Sequence, residues 1–292
     1  MRVLVSRLIG GGMMSDDRLK FPDTFHFQAG IGQRSSNAYF GTDVLTGLVN
    51  GMDEFLTDPD GRWGQYRSLG PAVLGCVPWL DDPALLSAID RFPSACVVVT
   101  KQELKKRGRE KFERLKQYAQ QGNGFPADVF AEMTELVSRY DGPPPVIGPY
   151  SPQAEGLRVP SIRSFGFRKT GGRPVPLIHA KMFLLGHLWW HDEDGSPVGV
   201  ADVTGFTPKR LWLGSTNGTE SSRLGLEFGV WLDDPDLLAD AEQFLVKVMR
   251  SSEGIDPDDD LFEPEYVSVE YDDDAFYDAM NNSDDGPEED DD

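Results

Sequence analysis

Cysteine and histidine are scarce in this chain, and Lys and Arg are absent from its last 42 residues. Two cysteines, Cys76 and Cys96, in 292 residues cannot make a disulfide framework or a cysteine-rich zinc site. Both sit in apolar strand-like runs and are expected as buried free thiols. No stretch approaches the ~18 apolar residues that span a bilayer. The opening Met1-Arg2-Val3-Leu4-Val5-Ser6-Arg7 makes a poor signal peptide, because Arg2 interrupts a very short apolar run. A cytoplasmic location is the expectation. Gly10-Gly11-Gly12 lacks the Lys-Ser/Thr ending of a phosphate loop and reads as a flexible leader.

Charge is plentiful but unevenly placed. The formal net charge is −21, from 49 acids and 28 bases. Residues 251–292 hold 19 of those acids and no base, which leaves 30 acids against 28 bases in residues 1–250. The body is thus nearly neutral and the end of the chain is a polyanion, whose low-complexity last stretch, 281–292, is expected to be disordered. Three regions follow: a leader over 1–37, a folded body over 38–250 and a largely disordered acidic tail over 251–292. Leu261, Phe262, Tyr266, Val267, Val269, Tyr271, Phe276 and Tyr277 are the tail residues that could dock on the body or on a partner protein.

Within the body, apolar spacing predicts a helix over 43–56 and a buried strand over 71–79. Asp81-Asp82-Pro83 supplies an N-cap and a first-turn proline for a helix to Phe92. Ala95 to Thr100 is a second buried strand, so strand, helix and strand form a βαβ unit with parallel pairing. Lys101 to Gln121 reads as a charged helix, with eight bases against three acids between Lys101 and Lys116. A further helix is expected over 127–140, then an irregular basic segment to Arg173 that contains Arg158, Arg163, Arg168 and Lys169. The last helix runs from Pro235 to Arg250. The fold class is α/β, one domain with a mixed sheet flanked by helices.

Two short runs carry the chemistry. Leu177-Ile178-His179-Ala180-Lys181-Met182-Phe183-Leu184-Leu185 places His179 and Lys181 two apart, and Leu211-Trp212-Leu213-Gly214-Ser215-Thr216-Asn217 does the same for Ser215 and Asn217. Residues two apart on a strand share a face. Glu227 follows ten residues after Asn217 and opens a third strand-like run to Leu232. Imidazole, ammonium, hydroxyl and amide together can hold and attack a phosphate. His-x-Lys, then Gly-Ser-x-Asn, then a Glu on the next strand resembles the pattern of the phospholipase D superfamily, over roughly residues 38–250. Two departures stand out. The superfamily's Asp five residues after the Lys is Gly186 here, and about twenty residues, from His187 to Arg210, read as an inserted hairpin or loop.

The resemblance implies a phospholipase D-like phosphodiesterase. In it His179 attacks phosphorus to give a phosphohistidine, and Glu227 accepts the hydrogen of the other ring nitrogen and fixes the tautomer. Lys181 and Asn217 hold the non-bridging oxygens, with Ser215 a weaker candidate for the same cradle. No cofactor is implied, and no acidic cluster around the motif reads as a metal cage. The superfamily's leaving-group acid is a second His from a second motif, and this chain carries one motif, so a homodimer is implied. His187 and His191 read as exposed loop residues. The basic segments favour nucleic acid as the substrate partner. A phospholipase or phosphatidyl transferase, with Trp189-Trp190 as an apolar lip, is the alternative enzyme. A catalytically inactive binding module is the alternative that Gly186 keeps open. The acidic tail is expected to associate with the basic segments or with a protein partner.

Overall fold

The computed structural model describes residues 25–28, 37–57, 66–101, 109–120, 122–134, 136–139, 146–147, 157–166, 169–170, 173–174, 176–193, 201–255, 262–268, 270–271, 274, 277–278 and 281. Its frame is one eight-stranded mixed sheet. In chain order the strands are β1 (Phe25–Gln28), β2 (Asn37–Gly41), β3 (Arg67–Val77) and β4 (Ser94–Thr100), then β5 (Ile162–Phe165), β6 (Met182–Glu193), β7 (Ala201–Gly214) and β8 (Glu227–Leu232). Across the sheet they lie in the order β1-β2-β8-β7-β6-β3-β4-β5. β3, β4 and β5 are mutually parallel, and every other neighbouring pair is antiparallel.

Period-2 alternation sorts the sheet's side chains into two cores. Val73, Val77, Val97, Val99, Phe183, Leu185, Trp212 and Trp231 face one layer, with α1 (Val44–Thr57), α2 (Pro83–Asp90) and Leu115 of α3 (Arg109–Ala119). Leu74, Cys76, Cys96, Val98, Leu184 and Leu211 face the other, against α4 (Pro235–Arg250) and the segment around Phe125 and Met133. Burial pushes both thiols up to about 12, so Cys76 and Cys96 are apolar fillers. The cap at Asp82 is as the sequence reads, its Oδ1 accepting from Leu85 N at 2.9 Å, and Asp234 caps α4 in the same way, its Oδ1 accepting from Leu237 N at 3.1 Å, each with Pro in the first turn.

Several expectations are corrected. The helix over 127–140 is replaced by two 3-10 turns, Ala127–Val129 and Ala131–Met133, and a short strand, Leu136–Ser138. Phe130 between the turns is extended, at φ −116° and ψ 126°, and its ring stacks on Phe125 at 5.5 Å and meets Phe206 at 6.0 Å. A helix would turn that ring out of the cluster. The irregular basic segment contains the edge strand β5, and its Arg163 has no solvent exposure at all. His187 is buried against Phe55, with ring centroids 4.8 Å apart, and is not an exposed loop residue. Of the charged helix only 109–119 is described as helical; Lys101 precedes it as a buried residue and 102–108 lie outside the described residues. Residues 25–28 of the presumed leader form β1, paired to β2.

The acidic tail does not part from the body at Arg250. Ser252 and Glu253 are buried, and Glu253 exchanges backbone hydrogen bonds of 2.9 Å with Ser164 of β5. Lys101 forms an ion pair with Glu253, Arg139 with Glu263 at 2.8 Å and Arg163 with Glu265 at 2.7 Å. Arg163 also donates to Ser252 Oγ and to its carbonyl, and its guanidinium lies 4.4 Å from the centre of the Tyr266 ring. Tyr266–Ser268 then pairs with Leu136–Ser138. Two of these ion pairs, Lys101–Glu253 and Arg163–Glu265, join the tail's first acids to cations of the basic segments in the interior, whereas Arg139–Glu263 lies at the surface. The stretch 282–292 lies outside the described residues.

A buried guanidinium that loses its carboxylate keeps its desolvation cost without the compensating attraction. Glu265→Ala should therefore lower unfolding stability by about 3–5 kcal/mol, read as a lower urea midpoint. An unchanged midpoint would mean that this strap is incidental to the fold.

Candidate active site

Strand direction brings the motif residues to one end of the sheet. β6 starts where β7 ends and where β8 starts: Met182 pairs with Leu213, and Gly214 with Gly229. Past the ladder, Gly214 N donates to Lys181 O at 3.2 Å and Ser215 N to Phe228 O at 2.9 Å. His179 and Lys181, Ser215 and Asn217, and Glu227 thus occupy three adjacent segments at that end. The C-terminal ends of β3 and β4 lie at the same end, because β3 runs antiparallel to β6 with Cys76 opposite Met182.

His179 and Lys181 lie just before β6 and not within it. The stretch that carries them is tied down by the Thr100 hydroxyl, which donates to Ile178 O at 3.0 Å, and by the Lys181 ammonium, which donates to His179 O at 3.0 Å. Ile178 is buried while His179 is exposed. Lys181 is held below the usual ammonium range: partial burial disfavours the cation more than the attraction of Glu227 and Cys76 favours it.

Glu227 is occupied differently from the expectation. Its Oε2 accepts from the Ser215 hydroxyl, whose oxygen in turn accepts from Phe228 N at 2.9 Å. Ser215 therefore commits its one hydroxyl hydrogen to Glu227 and an acceptor site to the start of β8. The imidazole of His179 has no hydrogen-bond partner among the described residues. Asn217 is half-buried, and its amide oxygen is buried without a hydrogen-bond partner among the described residues.

A clamp that the motif does not signal holds the Asn217 loop. Arg223 donates to both carboxylate oxygens of Asp82, at 2.6 and 3.0 Å, and to Asp43 Oδ1 at 2.6 Å. Burial alone would raise the Asp82 carboxyl, but the hydrogen bonds from Arg223 and Leu85 N overcome it and hold the carboxyl low. Hydrogen bonding to Asp82 likewise raises Arg223 above its ordinary value. Asp81 N and Asp82 N both donate to Gly218 O, at 2.8 and 2.9 Å. A Cβ on Gly218 would lie within 3.2 Å of Leu80, Leu85 and the Trp79 carbonyl, so a larger residue there would crowd this approach. The Asp82 N-cap is legible in the sequence, but its second partner is 141 residues away.

The inserted residues 187–210 lengthen the β6–β7 hairpin, whose arms pair from Met182 with Leu213 to Glu193 with Ala201. Trp189 donates to the Thr207 hydroxyl at 3.0 Å and packs on Tyr66. Eight residues along a strand at ~3.3 Å each put it roughly 25 Å from Lys181, so this pair is no lip to the site.

No protein-family model matches the chain, and no curated protein does. Among solved structures it is similar to NucT from Helicobacter pylori, at 11% identity over 76% of this chain and 99% of that one, with a TM-score of 0.43. It is similar also to Nuc from Salmonella typhimurium, a phospholipase D family member, at 10% identity over 75% of this chain and 97% of that one, with a TM-score of 0.41. A polyphosphate kinase from Porphyromonas gingivalis is matched over 25% of its length, at 13% identity over 74% of this chain, with a TM-score of 0.37. The likeness is one of strand and helix arrangement.

Gly186 has a steric cause. A Cβ there would lie 2.5 Å from the Phe206 ring and from Thr207 O across the hairpin. Gly186→Asp, which restores the residue of the motif it resembles, should therefore cost about 1–3 kcal/mol or more through overpacking. Thermal unfolding measures it, and a neutral result would show that the hairpin yields.

Proposed function

We propose that the chain is a phosphodiester hydrolase of phospholipase D type, acting on nucleic acid through a phosphohistidine. The observation that carries this reading is the convergence of His179, Lys181, Asn217 and Glu227 on one end of the sheet. His179 is the nucleophile, since its ring is exposed and unoccupied by described residues. It bonds to phosphorus as the first alkoxide leaves, and water then cleaves the phosphorus–nitrogen bond and releases the imidazole. Lys181 and Asn217 hold the non-bridging oxygens. The buried amide oxygen of Asn217 faces the protein and leaves the NH2 end to donate. Glu227, set by Ser215, provides the negative charge that supports the imidazolium as it forms. Ser215 is a positioning residue in this scheme and not a phosphate ligand.

The first leaving oxygen needs a proton. His187 is buried against Phe55, and His191 lies beside Tyr66 at the far end of β6. A second copy of the chain, related by a two-fold axis, would bring a second His179. Exposed apolar side chains next to the site favour such a contact. Leu177 precedes His179 by two residues, Leu224 and Leu226 precede Glu227, and Phe228 pairs with the equally exposed Phe40 across β8 and β2. Of the basic residues, Lys101 and Arg163 are sequestered by tail carboxylates, and Lys111, Arg114 and Arg158 remain towards solvent.

Activity on DNA or RNA should persist in EDTA and fall on the order of 10⁴-fold or more in His179→Ala. Cleavage that needs added metal, or that survives the substitution, overturns the mechanism. Phosphatidylcholine vesicles in the same assay test the lipid alternative, and a lack of turnover on every phosphodiester returns the chain to a binding role. Light scattering should give about twice the mass of one chain, 32.4 kDa. An active monomer would place the acid elsewhere.

A further inference from the structure

Trp79 is 47% exposed, although its backbone is tied to a neighbouring loop. It stands just past the C-terminal end of β3, at the same end of the sheet as the motif residues. Its carbonyl accepts from Gly218 N at 2.9 Å, and the next residue, Leu80, forms a parallel bridge with Gly218. Gly218 directly follows Asn217, so the indole is mounted on the backbone of the cradle loop itself. Asp81, two residues on, accepts from Glu220 N at 3.2 Å and forms an ion pair with Lys111 of α3, an exposed cation on the same rim. The Trp79 ring stacks on no described aromatic side chain, whereas Trp189, Trp212 and Trp231 are each engaged with another ring.

An aromatic face beside a phosphate cradle is the arrangement on which an unpaired base stacks. Every base offers a π-face, so such a contact is tolerant of sequence, but a base in duplex is already stacked on its neighbours and must be unpaired first. We propose that Trp79 is a stacking platform for one base flanking the scissile phosphate, and that it gives the site a preference for single-stranded nucleic acid. The inference rests on the nucleic-acid reading above and adds the strand preference and the residue that sets it.

Affinity in a His179→Ala background separates binding from cleavage. Three probes are compared by anisotropy: a labelled single strand, its duplex, and a single strand in which successive nucleotides are abasic. Trp79→Ala should weaken the single strand about 10- to 100-fold and leave the abasic strand nearly unaffected. Trp79→Phe should retain most of the affinity, and Trp79→Leu, which keeps bulk without an aromatic face, should behave as Trp79→Ala. The native chain should bind the single strand more tightly than the duplex. Equal losses on abasic and base-bearing strands, unchanged affinity in Trp79→Ala, or full retention by Trp79→Leu would overturn the platform. If the native chain cleaves no nucleic acid yet single strands bind through Trp79, the hydrolase reading fails and this one stands. If it cleaves and Trp79→Ala binds normally, the reverse holds.

Discussion

Everything proposed for this chain depends on the antiparallel register of β6, β7 and β8. The side-chain period of a strand is two, so a slip of one residue would turn every alternate group to the other face. Here the register is locked from both layers, by Phe183, Leu185, Trp212 and Trp231 on one side and Leu184 and Leu211 on the other. The same lock sets where the ladder stops. Lys181 and Ser215 fall immediately past its end, where backbone is free to curve and polar side chains can reach solvent. The lengthened hairpin adds pairing on the far side of the sheet and leaves this end undisturbed.

A second constraint is electrostatic. Three cations, Lys101 and Arg163 of the basic segments and Arg139 between them, meet carboxylates from beyond residue 250. Arg163 lies wholly inside the fold, and burying such a charge is tolerable only with a hydrogen-bonded partner. Part of the C-terminal acidity is therefore a counter-charge to the interior. Among the described residues, Lys111, Arg114 and Arg158 are cations of the basic segments that stay towards solvent. Trp79, Leu224, Leu226 and Phe228 add exposed apolar surface near the motif end of the sheet.

The loop bearing Asn217 shows how a site is built from remote parts. Arg223 joins it to the N-cap of α2 and to Asp43 before α1, while Gly218 lets the Trp79–Asp82 backbone approach closely. The Asn217 loop is thereby held from the starts of two helices, at residues 141 and 180 positions before Arg223. Ser215 is a case where motif and structure diverge in detail, since its hydroxyl serves Glu227 and Phe228 N.

What the sequence by itself determined is what short-range periodicity and capping can carry. The helices starting at Val44, Pro83 and Pro235, the parallel β3–α2–β4 unit and the order His179, Lys181, Ser215, Asn217, Glu227 were all legible, because each is encoded within a few residues. The segment 127–139 misled, because Phe130 is held extended by rings on Phe125 and Phe206, and a spacing pattern does not register a partner some 75 residues away. His187 and Arg163 misled for the same reason, as polar residues whose burial is decided by Phe55 and by Glu265. Only the tertiary structure decided that the acidic segment is part of the body, that Gly186 has no room for a side chain and that Trp79 stands beside Asn217. Each depends on which distant backbones are brought into contact, and local sequence does not specify that.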